Sequence, residues 1–204
     1  MTETAPLWTP SPQDVADSNL TAFARHVEAA WDVTLPDYWA LLDWSRINQE
    51  AFFESVWDFG GIVAETRGQQ TLIDADKMPG AQWFPDARLN FAENLLRRRD
   101  ETPALIFQGE RGDRRVLSFA DLYNRVSQLA QALLADGVGP GDRVVGFMPN
   151  LPETVVAMLA ATSLGATWSS CSPDFGIKGV MDRFGQIEPT VLFTADGYFY
   201  AGKQ

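Results

Sequence analysis

Residues 197–203, Gly197-Tyr198-Phe199-Tyr200-Ala201-Gly202-Lys203, fit the spacing G-x-x-x-x-G-K. That spacing lets backbone N–H groups curl around phosphate oxygens while the lysine reaches the outer phosphates. Two features oppose such a loop here. The following position must be Ser or Thr to hold magnesium, and it is Gln204. Tyr198, Phe199 and Tyr200 also place three bulky side chains where the backbone has to approach phosphate closely. A nucleotide-binding module at Gly197–Lys203 therefore stands only as an alternative reading.

The other chemistry-bearing residues are sparse. Cys171, between Ser170 and Ser172, would need a general base to act as a nucleophile. The sole histidine, His26, lies in a distant helical region, so Cys171 reads as a packed residue and His26 as a helix residue. With no Cys/His cluster, no metal site is expected. Asp174, after Pro173, can cap a helix beginning near Gly176. Gly137-Val138-Gly139-Pro140-Gly141 stands between a helix and a strand, the reverse of a dinucleotide-binding turn, and reads as turn chemistry.

Composition narrows the partners. The 204 residues carry a net charge of -11, which excludes a nucleic acid or an anionic membrane as the natural partner. Lys77, Lys178 and Lys203 are the only lysines. A single cysteine rules out an internal disulfide and fits a reducing compartment. Neither a signal peptide nor an apolar run long enough to span a bilayer is present, so a cytoplasmic location is expected.

The elements that must position these residues fall into two regions, 1–100 and 101–204. The first reads as helical and tryptophan-rich. Ser18-Asn19 caps a helix through Phe23, Val27 and Trp31; Pro36 opens a second through Trp44; Asn48 caps a third, stopped by Gly60-Gly61. The aromatic side chains either pack against a neighbouring surface or form a docking face, which leaves a non-catalytic interaction domain as a further alternative. Asn90–Arg99 reads as a short helix whose Arg97-Arg98-Arg99 end complements its own dipole.

From Pro103 the pattern becomes a β-hairpin around Glu110–Asp113, then alternating helix and strand. Ser118 with Asp121 begins a long helix with the stripe Phe119, Leu122, Val126, Leu129 and Leu133. Strands are expected at Arg143–Met148, Ala166–Ser169 and Val191–Thr194, with helices at Pro152–Leu164 and Ile177–Ile187. This alternation predicts an α/β fold with mostly parallel strands flanked by helices.

The segments FPDARLNFAENLL (84–96), PALIFQGERGDRRVLSFADLYNRVSQLAQALLADGVGPGDRVVGFMPN (103–150) and SCSPDFG (170–176) resemble the acyl-CoA synthetases of the adenylate-forming superfamily. SCSPDFG together with GVMDRFGQIEPTVLFTADGYFYAGK (179–203) is similar to the acetoacetate–CoA ligases among them. The resemblance implies a helical N-terminal region followed by the first part of the AMP-binding large domain. It implies ATP, CoA and Mg²⁺ as reaction components and acetoacetate as the acid. The adenylation groups of such enzymes lie in the remainder of the large domain and in a C-terminal domain, so these residues alone are expected to be inactive. By the same resemblance Ser172, Pro173 and Asp174 lie beside CoA and Lys203 contacts its phosphates, while Tyr200 stands where the relatives carry an arginine.

Overall fold

The computed structural model describes residues 6–202, and the chain divides into two compact units between Arg88 and Leu89. The first holds α1 (Pro12–Ala16), α2 (Asn19–Trp31), α3 (Tyr38–Ile47) and α4 (Gln49–Gly60), then the short strands β1 (Leu72–Ile73) and β2 (Gln82–Trp83). Ser11 and Asp14 form a capping box around α1 with Pro12 at its first turn. This helix adds to the three expected in the region, and Ser11, Pro12 and Asp14 are its start signal in the sequence.

Ser18 caps α2 as expected, accepting from the Thr21 N–H. Phe23 and Val27, one helical turn apart, point inward and meet Leu35 and Leu41, with Trp44 and Phe52 packed around them. Phe23 meets Phe52 and Phe59 edge-on at 5.7 and 5.3 Å, a favourable arrangement of aromatic quadrupoles. Trp31 donates its indole N–H to the buried Ser55 Oγ at 2.8 Å. The helices thus bury part of their aromatic area among themselves, whereas Trp8 and Trp39 keep 75% and 68% of theirs exposed.

Asn48 does precede α4, but its side chain does not cap it. The residue also ends α3, and its amide donates back to the Trp44 carbonyl at 3.1 Å. One side chain cannot serve both helix ends, and the C-terminal carbonyl wins.

The second unit holds α5 (Phe91–Leu95), β3 (Pro103–Gln108), β4 (Arg114–Ser118), α6 (Phe119–Ala135), β5 (Arg143–Phe147), α7 (Pro152–Ser163), β6 (Thr167–Cys171), α8 (Ile177–Phe184) and β7 (Val191–Thr194). Helix α5 stops short of the expected arginine end. Arg98 and Arg99 instead stack on Phe119 and Tyr123 at 5.0 and 3.9 Å, and these cation–π contacts replace a further helical turn. Ser118 and Asp121 cap α6 reciprocally, as expected.

Strands β3 and β4 form the expected antiparallel hairpin. Strands β5, β6 and β7 form a parallel sheet in the order β6-β5-β7. The central strand explains the layers. Val144 and Val145 are adjacent and fully buried, so they point to opposite faces. Val144 joins α6 and α7 in a core with Leu122, Val126 and Leu159. Val145 joins Cys171 and Phe184, covered from α8 by Val180. Chain order then follows from handedness: β6 pairs on one side of β5 and β7 on the other, so right-handed crossovers place α7 and α8 on opposite faces. The fold is α/β. Among the described residues no helix is long and apolar enough to cross a membrane.

Candidate functional site

All three parallel strands end at the same edge of the sheet, and the loops leaving them line one cleft of about 670 Å³. Pro149–Leu151 follow β5, Ser172–Asp174 follow β6, and Asp196–Tyr200 follow β7; the tip of the β3–β4 hairpin closes the remaining side. In doubly wound α/β sheets ligands bind outside the carboxyl ends of the strands, where the order reverses. Here that reversal is between β5 and β7, so topology alone selects this cleft.

The structure brings Ser172, Pro173 and Asp174 together in the cleft wall. Asp174 does not cap α8, whose N-cap is Gly176 with no side-chain bond. Its carboxylate instead accepts from Ser172 Oγ at 2.9 Å and from the Tyr198 hydroxyl at 3.2 Å. The second bond is decisive, because it ties the loop after β6 to the loop after β7. Partial burial, then the hydrogen bond to Asp174 and that carboxylate's charge, raise the Tyr198 pKa above its ordinary value. The phenol is therefore held neutral as a donor. Cys171, just upstream, is buried in an apolar cluster with Val145 and Phe184 under α8. Lys203 lies outside the described residues.

The opposite wall is held by an ion pair that the sequence did not disclose. Arg115 on β4 donates two parallel bonds to Glu153 at the start of α7, at 2.6 and 3.0 Å. The Arg115 hydrogen bonds come first among the causes that lower the Glu153 pKa. The guanidinium also lies 4.9 Å from the Phe107 ring centre. The two partners stand 38 residues apart on different elements, and no local pattern announces such a pair.

A second long-range contact shapes the loop whose spacing resembles a phosphate cradle. Glu110, in the hairpin tip, accepts from the backbone N–H groups of Ala201 and Gly202 at 3.0 and 3.1 Å. Ala201 and Gly202 both have positive φ, 51° and 75°, and successive N–H groups in such a turn form an anion-binding concavity. A carboxylate of the chain itself occupies it. Tyr200, where an arginine would supply charge, is one of the cleft-lining residues. Among the described lining residues the charges are Glu110, Asp113, Asp174 and Asp196 against Arg115 alone.

The AMP-binding enzyme profile matches residues 91–204, and the acetyl-coenzyme A synthetase N-terminus profile matches 38–95. The first spans more than half of the chain. The chain belongs to the AMP-binding enzyme family. An acetoacetyl-coenzyme A synthetase of Rhizobium meliloti (strain 1021) is 47% identical over 98% of this chain and 30% of its own length. An acetoacetyl-CoA synthetase of Macaca fascicularis is 38% identical over 95% of this chain and 29% of its length. A solved acetoacetyl-CoA synthetase from Streptomyces lividans superimposes with a TM-score of 0.90 at 43% identity, over 98% of this chain and 31% of that one. The chain thus spans about 30% of the curated relatives it matches. Within the AMP-binding family match lie the whole parallel sheet and every loop that lines the cleft.

Proposed function

We propose that these residues form the N-terminal part of an ATP-dependent acid–CoA ligase that makes acetoacetyl-CoA, a helical N-terminal region followed by the first part of the AMP-binding large domain. The boundary is near residue 89, where the two compact units divide, and not at 100 as the sequence pattern suggests. The observation that carries this reading is 47% identity, across nearly the whole chain, to a protein named acetoacetyl-coenzyme A synthetase. A cytoplasmic location is part of the same proposal.

The reaction has two displacements. A carboxylate oxygen of acetoacetate attacks the α-phosphorus of ATP and pyrophosphate leaves. The CoA sulfur then attacks the acyl carbon of the adenylate, loses its proton, and AMP leaves. Among the described residues no group of three His, Cys, Asp or Glu is gathered to hold a metal ion. The Mg²⁺ of the first displacement is therefore assigned to no residue here, and residues 1–204 on their own are proposed to be inactive.

The cleft's donor set suits the second displacement better. The pantetheine arm of CoA is uncharged and carries amides, which match hydroxyls, backbone groups and aromatic edges. Ser172 and Asp174 are proposed to line that arm, with Pro173 holding the turn rigid between them. Tyr198, hydrogen-bonded to Asp174, fixes the wall. Lys203 is proposed to meet the phosphates.

The test uses the full-length protein. Acetoacetate-dependent ATP–pyrophosphate exchange measures the first displacement and thioester formation the second. Lys203→Ala is expected to raise the KM for CoA by no more than roughly 10- to 100-fold, the ceiling for one charge-assisted hydrogen bond, with exchange nearly unchanged. Absence of acetoacetate-dependent exchange in the wild type would overturn the ligase reading.

A further inference from the structure

The cleft poses an electrostatic problem for a polyphosphorylated thiol. Four carboxylates line it, and its one described lining cation, Arg115, is already held by both oxygens of Glu153. The concavity of backbone N–H groups at Ala201 and Gly202 is occupied by Glu110. While these contacts stand, neither the Arg115 guanidinium nor that concavity is free to take a phosphate.

The residue after Glu110 resolves the problem. Arg111 projects from the exposed hairpin tip and lays its guanidinium over Phe199, 4.0 Å from the ring centre. Phe199 lines the cleft and adjoins Tyr200. Among the described residues the Arg111 side chain has no ion pair and donates no hydrogen bond, so only its flat face is engaged. An arginine stacked by its face leaves its N–H edge in fork geometry, the shape that matches phosphate oxygens. Glu110 and Arg111 thus divide the labour of the tip. The carboxylate holds the backbone of Ala201 and Gly202, and the neighbouring guanidinium stacks on Phe199 of the same loop.

We propose that Arg111 is a phosphate-binding residue at the rim of this cleft, supplying from the hairpin the cation that Tyr200 does not supply from the loop. The proposal rests on the CoA reading of the cleft and adds a residue and a recognition mode to it. The ligand chemistry is a phosphate ester attached to a neutral arm that descends toward Ser172. Arg111 is a specificity residue for the phosphate end and touches no reacting atom.

Direct binding tests it on the full-length protein, with CoA and phosphate-free pantetheine as separate probes in a calorimeter. Arg111→Ala is expected to weaken CoA binding by about 3- to 20-fold, as for one exposed charge-assisted contact. The same substitution is expected to leave pantetheine binding unchanged. Arg111→Lys keeps the charge without the stacked fork and should fall between the two. The wild-type advantage for CoA should shrink as salt rises from 0.05 to about 0.5 M. Equal losses for CoA and pantetheine would overturn the proposal by making Arg111 a loop-positioning residue, and so would unchanged CoA binding in both variants. Ser172→Trp separates that failure from failure of the cleft itself. Filling the cleft from that wall must weaken both probes if CoA binds there, and if it weakens neither, the CoA reading falls along with the proposal.

Discussion

Among residues 6–88 the hydrophobic side chains that reach near-complete burial are Phe23, Val27, Leu35 and Leu41. The second unit buries a continuous set from Ala92 through Leu122, Val144 and Leu159 to Ala166. The first unit nevertheless carries most of the tryptophan. An amphipathic helix hides one stripe and leaves the flanks of a large ring in water, as at Trp39. Strand β5 hides both faces, so two small valines are enough to join two layers. Depth of burial here follows from how many sides of an element are covered, and residue size is the weaker influence.

Substitutions of matched type should expose that difference. Leu159→Ala, in the fully enclosed core, is expected to cost about 2–5 kcal/mol by urea unfolding, since transfer and cavity terms add. Trp39→Ala removes a larger side chain yet should stay within about 0.5 kcal/mol of wild type. A larger loss for Trp39 than for Leu159 would break the comparison.

Gly146→Ala comes next. A Cβ there would lie 2.7 Å from two atoms of the Trp168 ring, so the indole must move. Overpacking of this kind costs about 1–3 kcal/mol, and a calorimetric melt unchanged from wild type would show that the ring has room.

Helix caps give a smaller contrast. Ser118→Ala breaks a reciprocal capping box and should cost about 1 kcal/mol. Asn48→Ala loses a single bond to the Trp44 carbonyl and should cost less in the same urea titration. Reversal of that order would mean that the α3–α4 corner holds the first unit together more firmly than its geometry indicates.

The smallest effect is a pH dependence. Glu153 has its pKa lowered in the fold, chiefly by the Arg115 hydrogen bonds. Its contribution is therefore present above the unfolded value, near 4.5, and disappears as pH falls through the lowered one. Because the pair is about two-fifths exposed, solvent screening keeps that contribution small. Glu153→Gln should flatten the stability profile below about pH 4.5 and leave its shape at pH 7 to 8 unchanged.

What was legible in the sequence is what neighbours in the chain decide. The capping pair Ser118 and Asp121, the stripe of α6 and the apolar run of β5 each sit within one element, and each formed as read. The misreadings share a cause. Local pattern places Asn48, Asp174, Arg98 and Arg99 at their own helix ends, and each has a competing partner. For Asp174 that partner, Tyr198, is 24 residues away. The bond from Glu110 to residues 201 and 202 crosses about ninety positions, and no periodicity carries information over that span. Three of the cleft residues could be named from a motif, but the contacts that hold them there could not.

The contact between Trp168 and Gly146 has an optical consequence. Six of the seven tryptophans precede Arg88, and Trp168 is the only one after it. Near-ultraviolet emission of the intact chain will therefore be dominated by indoles outside the parallel sheet. Replacing those six with phenylalanine would leave one fluorophore on the strand that runs directly into Ser172. Its wavelength and quenching would then read out what happens at that strand end, with no dye attached.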